Sequence, residues 1–318
     1  MNILVTGCAG FIGFSLAQKF LNKYPRHKII GFDNLNDFYS IKLKKKRLSI
    51  LKNYKNFKFY KLDLLNKKKL KEVCDKNKFK VIYHLAAQAG VRYVASHPHK
   101  FIESNIYGFH NLMELVNKSK ISKFFYASSS SVYGDLNKFP VDERSNLFPK
   151  NIYGLSKKIN EEYILINSNK KTKYIGLRLF TVFGEWGRPD MLILKFLKSA
   201  KKNQTFFLNN MGKHWRDFTY IDDVVENLLI LLKKNYKKNL ILNICSNRPI
   251  YIRTLIKYLS YKTNFKKIKN IKKNNYEVLK THGENKALLK VTKFKNFSNF
   301  YTSVDNTIEW FNKYHNLI

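Results

Sequence analysis

Gly7-Cys8-Ala9-Gly10-Phe11-Ile12-Gly13 follows the apolar run Asn2-Ile3-Leu4-Val5-Thr6 and leads into a helical pattern reaching about residue 23. A buried strand, a glycine turn and a helix, in that order, open a nucleotide-binding crossover unit. The glycines allow a tight turn and close approach of backbone to a pyrophosphate, which the helix N-terminus attracts through its unpaired amides. The spacing is GxxGxxG rather than GxGxxG, so the flanking elements matter. Lys28-Ile29-Ile30-Gly31-Phe32 reads as a second strand ending at Asp33, twenty residues beyond Gly13. A carboxylate there accepts from the adenosine ribose hydroxyls and repels a 2′-phosphate, so NAD is expected rather than NADP.

Outward from this unit, strand and helix patterns alternate. Residues 57–62, 81–85 and 123–127 read as strands, residues 66–76, 101–117 and 152–168 as helices, and lysine-rich residues 41–56 as a polar helix. That alternation at crossover spacing predicts an α/β fold with a doubly wound, parallel Rossmann sheet. After about residue 175 the pattern loosens into a smaller, interleaved C-terminal substrate lobe. The expected division is a dinucleotide-binding domain over 1–175, with segments near 215–245 returning to it, and a mainly substrate-binding lobe over 176–318.

The formal net charge is +38, with 51 lysines and only 9 arginines among 318 residues. Sequence-specific nucleic-acid sites lean on arginine forks. A lysine surplus accompanied by asparagine, isoleucine and tyrosine reads instead as a solvated basic surface, which still attracts small anionic substrates. No nucleic-acid partner is expected. No run of 18 apolar residues suggests a membrane span, no basic leader precedes the first strand, and Cys8, Cys74 and Cys245 are scattered. A cytoplasmic protein without disulfides is expected. His84, His97, His99 and His282 show no metal spacing, so no metal is expected.

Tyr153-Gly154-Leu155-Ser156-Lys157 places a tyrosine and a lysine on one face of a helix. A nearby ammonium favours the phenolate and is expected to lower the tyrosine's pKa towards working pH, making Tyr153 a candidate general base for a sugar or alcohol hydroxyl. Asp63, after the third strand, is a candidate contact for the adenine amine.

With these elements placed, several stretches resemble the extended short-chain dehydrogenase/reductases of the NAD-dependent nucleotide-sugar epimerase branch, and UDP-glucuronate 4-epimerases among them. They are the segment from Gly31 to Tyr39, Ala86 to Tyr93, Ala127 to Gly134, Arg178 to Met191 with its Trp186-Gly187-Arg188-Pro189-Asp190 core, and Arg216 to Asp223. Glu185 departs from the pattern, which has proline there.

The resemblance implies NAD contacts from Gly7, Gly10, Phe11, Ile12, Gly13, Asp33, Asn34, Asp63, Leu64, Ala86, Ala87, Tyr153 and Lys157. It implies that Tyr153 removes the 4-hydroxyl proton of a UDP-sugar while C4 is oxidised and then reduced on its opposite face. Lys157 would hold the nicotinamide ribose, and Ser129 would hydrogen-bond the reacting oxygen. Substrate contacts are expected from Gln88, Arg92, Ser128, Ser130, Thr181, Arg188, Met191, Lys195 and Arg216, the last on the diphosphate.

Related dehydratases and decarboxylases carry an acid just after the hydroxyl residue. Ser130 and Ser131 stand there instead, so elimination is not expected. A uronate oxidised at C4 is a β-keto acid, and Arg188, Arg92, Thr181 and Ser129 are candidates to hold its carboxylate. The alternatives are a 4-epimerase of a neutral or N-acetylated UDP-hexose and a non-catalytic NAD- or nucleic-acid-binding protein on the same fold. A homodimer through helices 101–117 and 152–168 is also implied. Ile106, Phe109, Leu112, Ile159 and Tyr163 would either form that interface or face the sheet.

Overall fold

In the computed structural model, which describes residues 1–90, 93, 94, 96–272 and 278–318, the first half of the chain winds most of a seven-stranded sheet. It contributes β1 (Asn2–Thr6), β2 (Lys28–Asp33), β3 (Phe57–Lys61), β4 (Val81–His84), β5 (Lys123–Ser129) and β6 (Lys173–Leu179). The chain then leaves for β7 (Thr181–Phe183), β8 (Phe206–Asn209) and β9 (Trp215–Tyr220), and β10 (Leu240–Ile244) returns to the sheet edge. Two short strands follow, β11 (Pro249–Tyr251) and β12 (Ile268–Ile271).

The sheet order is β10-β6-β5-β4-β1-β2-β3 and every pairing is parallel. A parallel sheet needs both faces covered, which explains the continuous apolar runs. β1 sends Ile3 and Val5 to one core and Leu4 to the other; β5 does the same with Phe125 against Phe124 and Tyr126. The first core takes α1 (Phe11–Lys23) and α2 (Ile41–Lys52). The second takes α3 (Lys67–Asn77), then α5 (Gly108–Lys118), reached through α4 (Pro98–Ile102), and α6 (Ile152–Asn167). Beyond the sheet lie α7 (Leu192–Lys201), α8 (Ile221–Lys233), which packs on α1, and α9 (Ile252–Thr263), α10 (Lys286–Thr292) and α11 (Phe300–Tyr314). β7, β9 and β11 form one small sheet, and β8 and β12 another.

The structure corrects one local expectation and resolves two others. The helix read over 101–117 is interrupted by a π-helical turn, Glu103–Tyr107, which buries Asn105. Asn105 accepts from the Gln88 amide at 2.7 Å and donates to the Gln88 carbonyl and Ser156 Oγ, both at 3.0 Å, a tertiary demand invisible in periodicity. Phe109 and Leu112 are buried against the sheet, not at an outer helix face. The polar helix α2 buries Leu43, Lys44, Arg47, Leu48 and Leu51. No helix among the described residues is long and apolar enough to cross a membrane.

Candidate active site

Because the strands are parallel, the loops leaving β1, β2, β4, β5 and β6 gather at one edge. They enclose an open cleft of about 1350 Å³. At one end the glycine turn is packed too closely for side chains. Gly7 has φ +72°, and a Cβ on it would lie 2.8 Å from the Ala86 nitrogen; a Cβ on Gly13 would lie 2.2 Å from the Gly7 carbonyl oxygen. Gly10 caps α1 without a side-chain acceptor, and no acid stands in the first turn, so the helix N-terminus is left for an anion.

Gly7, Gly10, Phe11, Ile12 and Gly13 line this end, together with Asp33, Asn34, Asp63, Leu64, Ala86 and Ala87. The Asp33 carboxylate accepts from the Ala9 amide at 3.1 Å and the Leu35 amide at 2.8 Å. Burial pushes its pKa up, against those bonds and the charges of Lys44 and Arg47. Asn34 donates to Asp63 at 2.8 Å. A pyrophosphate on the bare helix N-terminus and a ribose at Asp33 fit this cradle, so the residues suit a dinucleotide.

The other end holds the chemistry. Asn151 caps α6 by accepting from the Gly154 amide at 2.9 Å, which presents Tyr153 in the first turn and Lys157 one turn later. Tyr153, Lys157, Ser128, Ser129, Arg188 and Met191 all line the cleft. The phenol of Tyr153 faces the Ser129 hydroxyl, whose Oγ accepts from the Ser131 amide at 3.1 Å. Burial nevertheless raises the Tyr153 pKa, and what pulls it back is the Ser129 hydroxyl and the charge of Arg188.

The expected lowering by Lys157 is therefore overturned. Its Nζ stands 6.0 Å from the Tyr153 ring centre, and Lys157 is itself so buried that its ammonium falls to about 8, with Glu161 opposing the fall. Desolvation outweighs the pairing that sequence spacing implies.

Ser128 is buried, and its hydroxyl donates to Glu161 at 2.5 Å. Glu161 in turn forms a buried, two-pronged pair with Arg178, at 2.7 and 3.0 Å. Below the glycine turn, Thr6 Oγ1 lies 2.9 Å from His84 Nδ1 and accepts from the Ala86 amide at 3.1 Å. Burial lowers the His84 pKa to about 3, so the imidazole is neutral. Arg188 pairs with Asp190 through Nε at 3.0 Å and Nη2 at 2.6 Å, and lies over the Phe38 ring at 5.5 Å.

Ser130, Thr181 and Arg216 line a neighbouring pocket of about 910 Å³ instead, with Lys150, Asn151 and His214, which sequence reading did not single out. Gln88 and Lys195 line neither cavity. Gln88 is buried, with its backbone held by Asn105 and its Nε2 turned to the Ala89 carbonyl at 3.3 Å. Lys195 lies one turn along α7, past both linings. Arg92 lies outside the described residues.

Phe38, Tyr39 and Lys44 complete the cleft, also unanticipated. Arg47 had a legible signal, since it occupies the position four residues from both Leu43 and Leu51 on the apolar stripe of α2. Among the described residues no group of three or more His, Cys, Asp or Glu side chains is placed to hold a metal ion.

Residues 3–245 match the NAD dependent epimerase/dehydratase family. The chain is 36% identical to a probable UDP-glucuronate 4-epimerase of Rhizobium meliloti, over 73% of this chain and 68% of that protein. It is 32% identical to UDP-glucuronate 4-epimerase 4 of Arabidopsis thaliana, over 99% of this chain and 76% of the relative. The crystal structure of the UDP-glucuronic acid 4-epimerase from Bacillus cereus with UDP-glucuronic acid and NAD superposes with a TM-score of 0.92 at 26% identity. That match covers 98% of this chain and 99% of the other.

Proposed function

The chain belongs to the NAD dependent epimerase/dehydratase family, and from that membership we propose that it is a UDP-sugar 4-epimerase whose substrate pair is UDP-glucuronate and UDP-galacturonate. The supporting observation is the Tyr153 phenol, facing Ser129 and under the charge of Arg188, in one cleft with the glycine turn.

NAD is the cofactor, and when bound it supplies the reversible oxidation at C4. Tyr153 takes the proton of the 4-hydroxyl and gives it back to the 4-oxygen once C4 has been reduced on its opposite face, while Ser129 holds that oxygen. Lys157 orients the nicotinamide ribose. Gly7, Gly10, Gly13 and the first turn of α1 hold the pyrophosphate, and Asp33 the adenosine ribose. Arg216, with Lys150 and His214 in the neighbouring pocket, supplies the cationic and donor groups for the nucleotide diphosphate.

At the 4-keto stage a uronate loses carbon dioxide when its carboxylate bond aligns with the carbonyl π system. Arg188 in the cleft, with the hydroxyl of Thr181 from the neighbouring pocket, holds the carboxylate out of that alignment. The serines at 130 and 131 offer no acid for elimination.

The protein works in the cytoplasm as a homodimer that buries the exposed Ile102, Tyr107 and Leu155 of the adjoining α4 and α6 region. The deciding experiment incubates the purified chain with UDP-glucuronate and no added NAD, separates products by chromatography and identifies them by NMR. UDP-galacturonate is expected, with Tyr153→Phe slower by at least about a hundredfold. A UDP-pentose, or turnover only of neutral UDP-hexoses, would overturn the assignment of substrate.

A further inference from the structure

Arg47 is fully buried on α2, a helix whose outer face is almost wholly lysine. Its guanidinium makes four contacts to three separate segments. Nη1 donates to the Ala9 carbonyl of the glycine turn at 2.8 Å and to the Tyr39 hydroxyl at 2.7 Å. Nη2 donates to the Trp186 carbonyl and to the Gly187 carbonyl at 3.1 Å. Only a planar fork with several donors can bridge carbonyls in this way; a lysine offers one point of attachment.

The segment it grips is under tension. Trp186 has φ +58°, a left-handed conformation that a bulky residue adopts only when its surroundings impose it. Part of that imposition is the ring, packed 5.3 Å from Phe14, 5.3 Å from Trp310 and 4.9 Å from Tyr314. To this Arg47 adds its hold on the two carbonyls, and the Gly187 amide closes the loop on the Gly184 carbonyl at 3.2 Å. Immediately beyond them stands Arg188, inside the cleft.

We propose that Arg47 is a positioning residue for the C4 chemistry, holding the Trp186–Gly187 segment against the glycine turn and so keeping Arg188 beside Tyr153. The proposal rests on the reading of Tyr153 as the base. It ties the dinucleotide end of the cleft to the sugar end through one side chain.

Among the described residues, four groups facing Tyr153 bear on its charge or packing. Ser129 comes from β5, Phe101 of α4 presents its ring at 6.1 Å, Lys157 lies on the same helix, and Arg188 brings the charge that favours the phenolate. Arg188 itself faces Asp190, Tyr39 and Tyr153. Arg47 adds its own charge near Asp33 and Lys44, so its role on Tyr153 runs through the loop.

The test compares Arg47→Met and Arg47→Lys with the parent by phenolate absorbance, each read as a difference from the same background carrying Tyr153→Phe. With the loop released, Tyr153 should titrate about one pH unit higher in Arg47→Met, the tenfold expected from losing a neighbouring cation, and higher by a smaller step in Arg47→Lys. In an Arg188→Met background the same Arg47 substitutions should add no further shift, because both act on one path. With UDP-glucuronate, kcat should fall about tenfold at neutral pH and recover as the pH is raised, while circular dichroism stays that of the parent.

An unmoved Tyr153 titration overturns the proposal, as does a shift that persists without Arg188. If Arg47→Met does not fold, Arg47→Lys decides alone; collapse of both means that Arg47 serves the fold and not the site. Failure of the parent to epimerise any UDP-sugar sinks the functional reading instead, and leaves the phenol titration to judge Arg47.

Discussion

Burial moves the pKa values of Tyr153 and Lys157 in opposite directions. Desolvation disfavours the charged form of both, so the phenol rises while the ammonium falls to about 8 from an ordinary 10.5. For Lys157 the consequence is a stability that depends on pH. Between about pH 8 and pH 10 the unfolded chain binds a proton at this site that the folded chain has lost, so raising the pH favours folding. Relief of the buried ammonium is worth on the order of 3 kcal/mol over that window. Denaturant midpoints of the ligand-free protein should therefore rise with pH relative to Lys157→Met, in which this contribution vanishes. Parallel pH dependence in the two proteins would mean that the ammonium is better solvated or paired than its burial implies.

At the scale of the element, the β1–turn–α1 unit was legible because its physics is local. A glycine is required at position 13 by a contact within the same turn, and strand and helix flank it directly in sequence. A methyl at Gly13 cannot be accommodated without moving the backbone that forms the cradle. Gly13→Ala should cost about 3 kcal/mol or more in unfolding free energy, at the upper end for overpacking, and should leave the purified protein without bound NAD. A Gly13→Ala variant of parental stability that retains the cofactor would show that the turn has slack. Sequence reading described only the outer half of α2. Its lysines describe the solvent face, whereas its inward face is decided by partners far along the chain at Trp186 and Gly187.

Over the whole molecule, two cores on either face of the sheet account for the apolar stripes of the helices, and some of the apolar side chains left exposed lie on and between α4 and α6. Phe109 and Leu112 are spent on the inner core, while Ile102, Tyr107 and Leu155 stay exposed and Ile106 and Ile159 half-buried. Leu155→Glu should convert the proposed dimer to monomer in sedimentation velocity with little change in melting temperature, since the side chain packs in neither core. A monomeric parent, or an unaltered dimer in the variant, would remove this face from the assembly.

The order of elements, the parallel sheet, the glycine cradle, Asp33 at its strand end and the tyrosine–lysine pair were all determined by residues a few positions apart, because turns, strands and helices answer to short-range geometry. Only the tertiary structure decided which charges act on which groups. Arg188 reaches Tyr153 from a loop thirty-five residues away, Lys157 is muted by burial, and Gln88 and Lys195 fall outside the cavities. Desolvation and long-range contact depend on the packing of the entire chain, and no spacing in sequence records them.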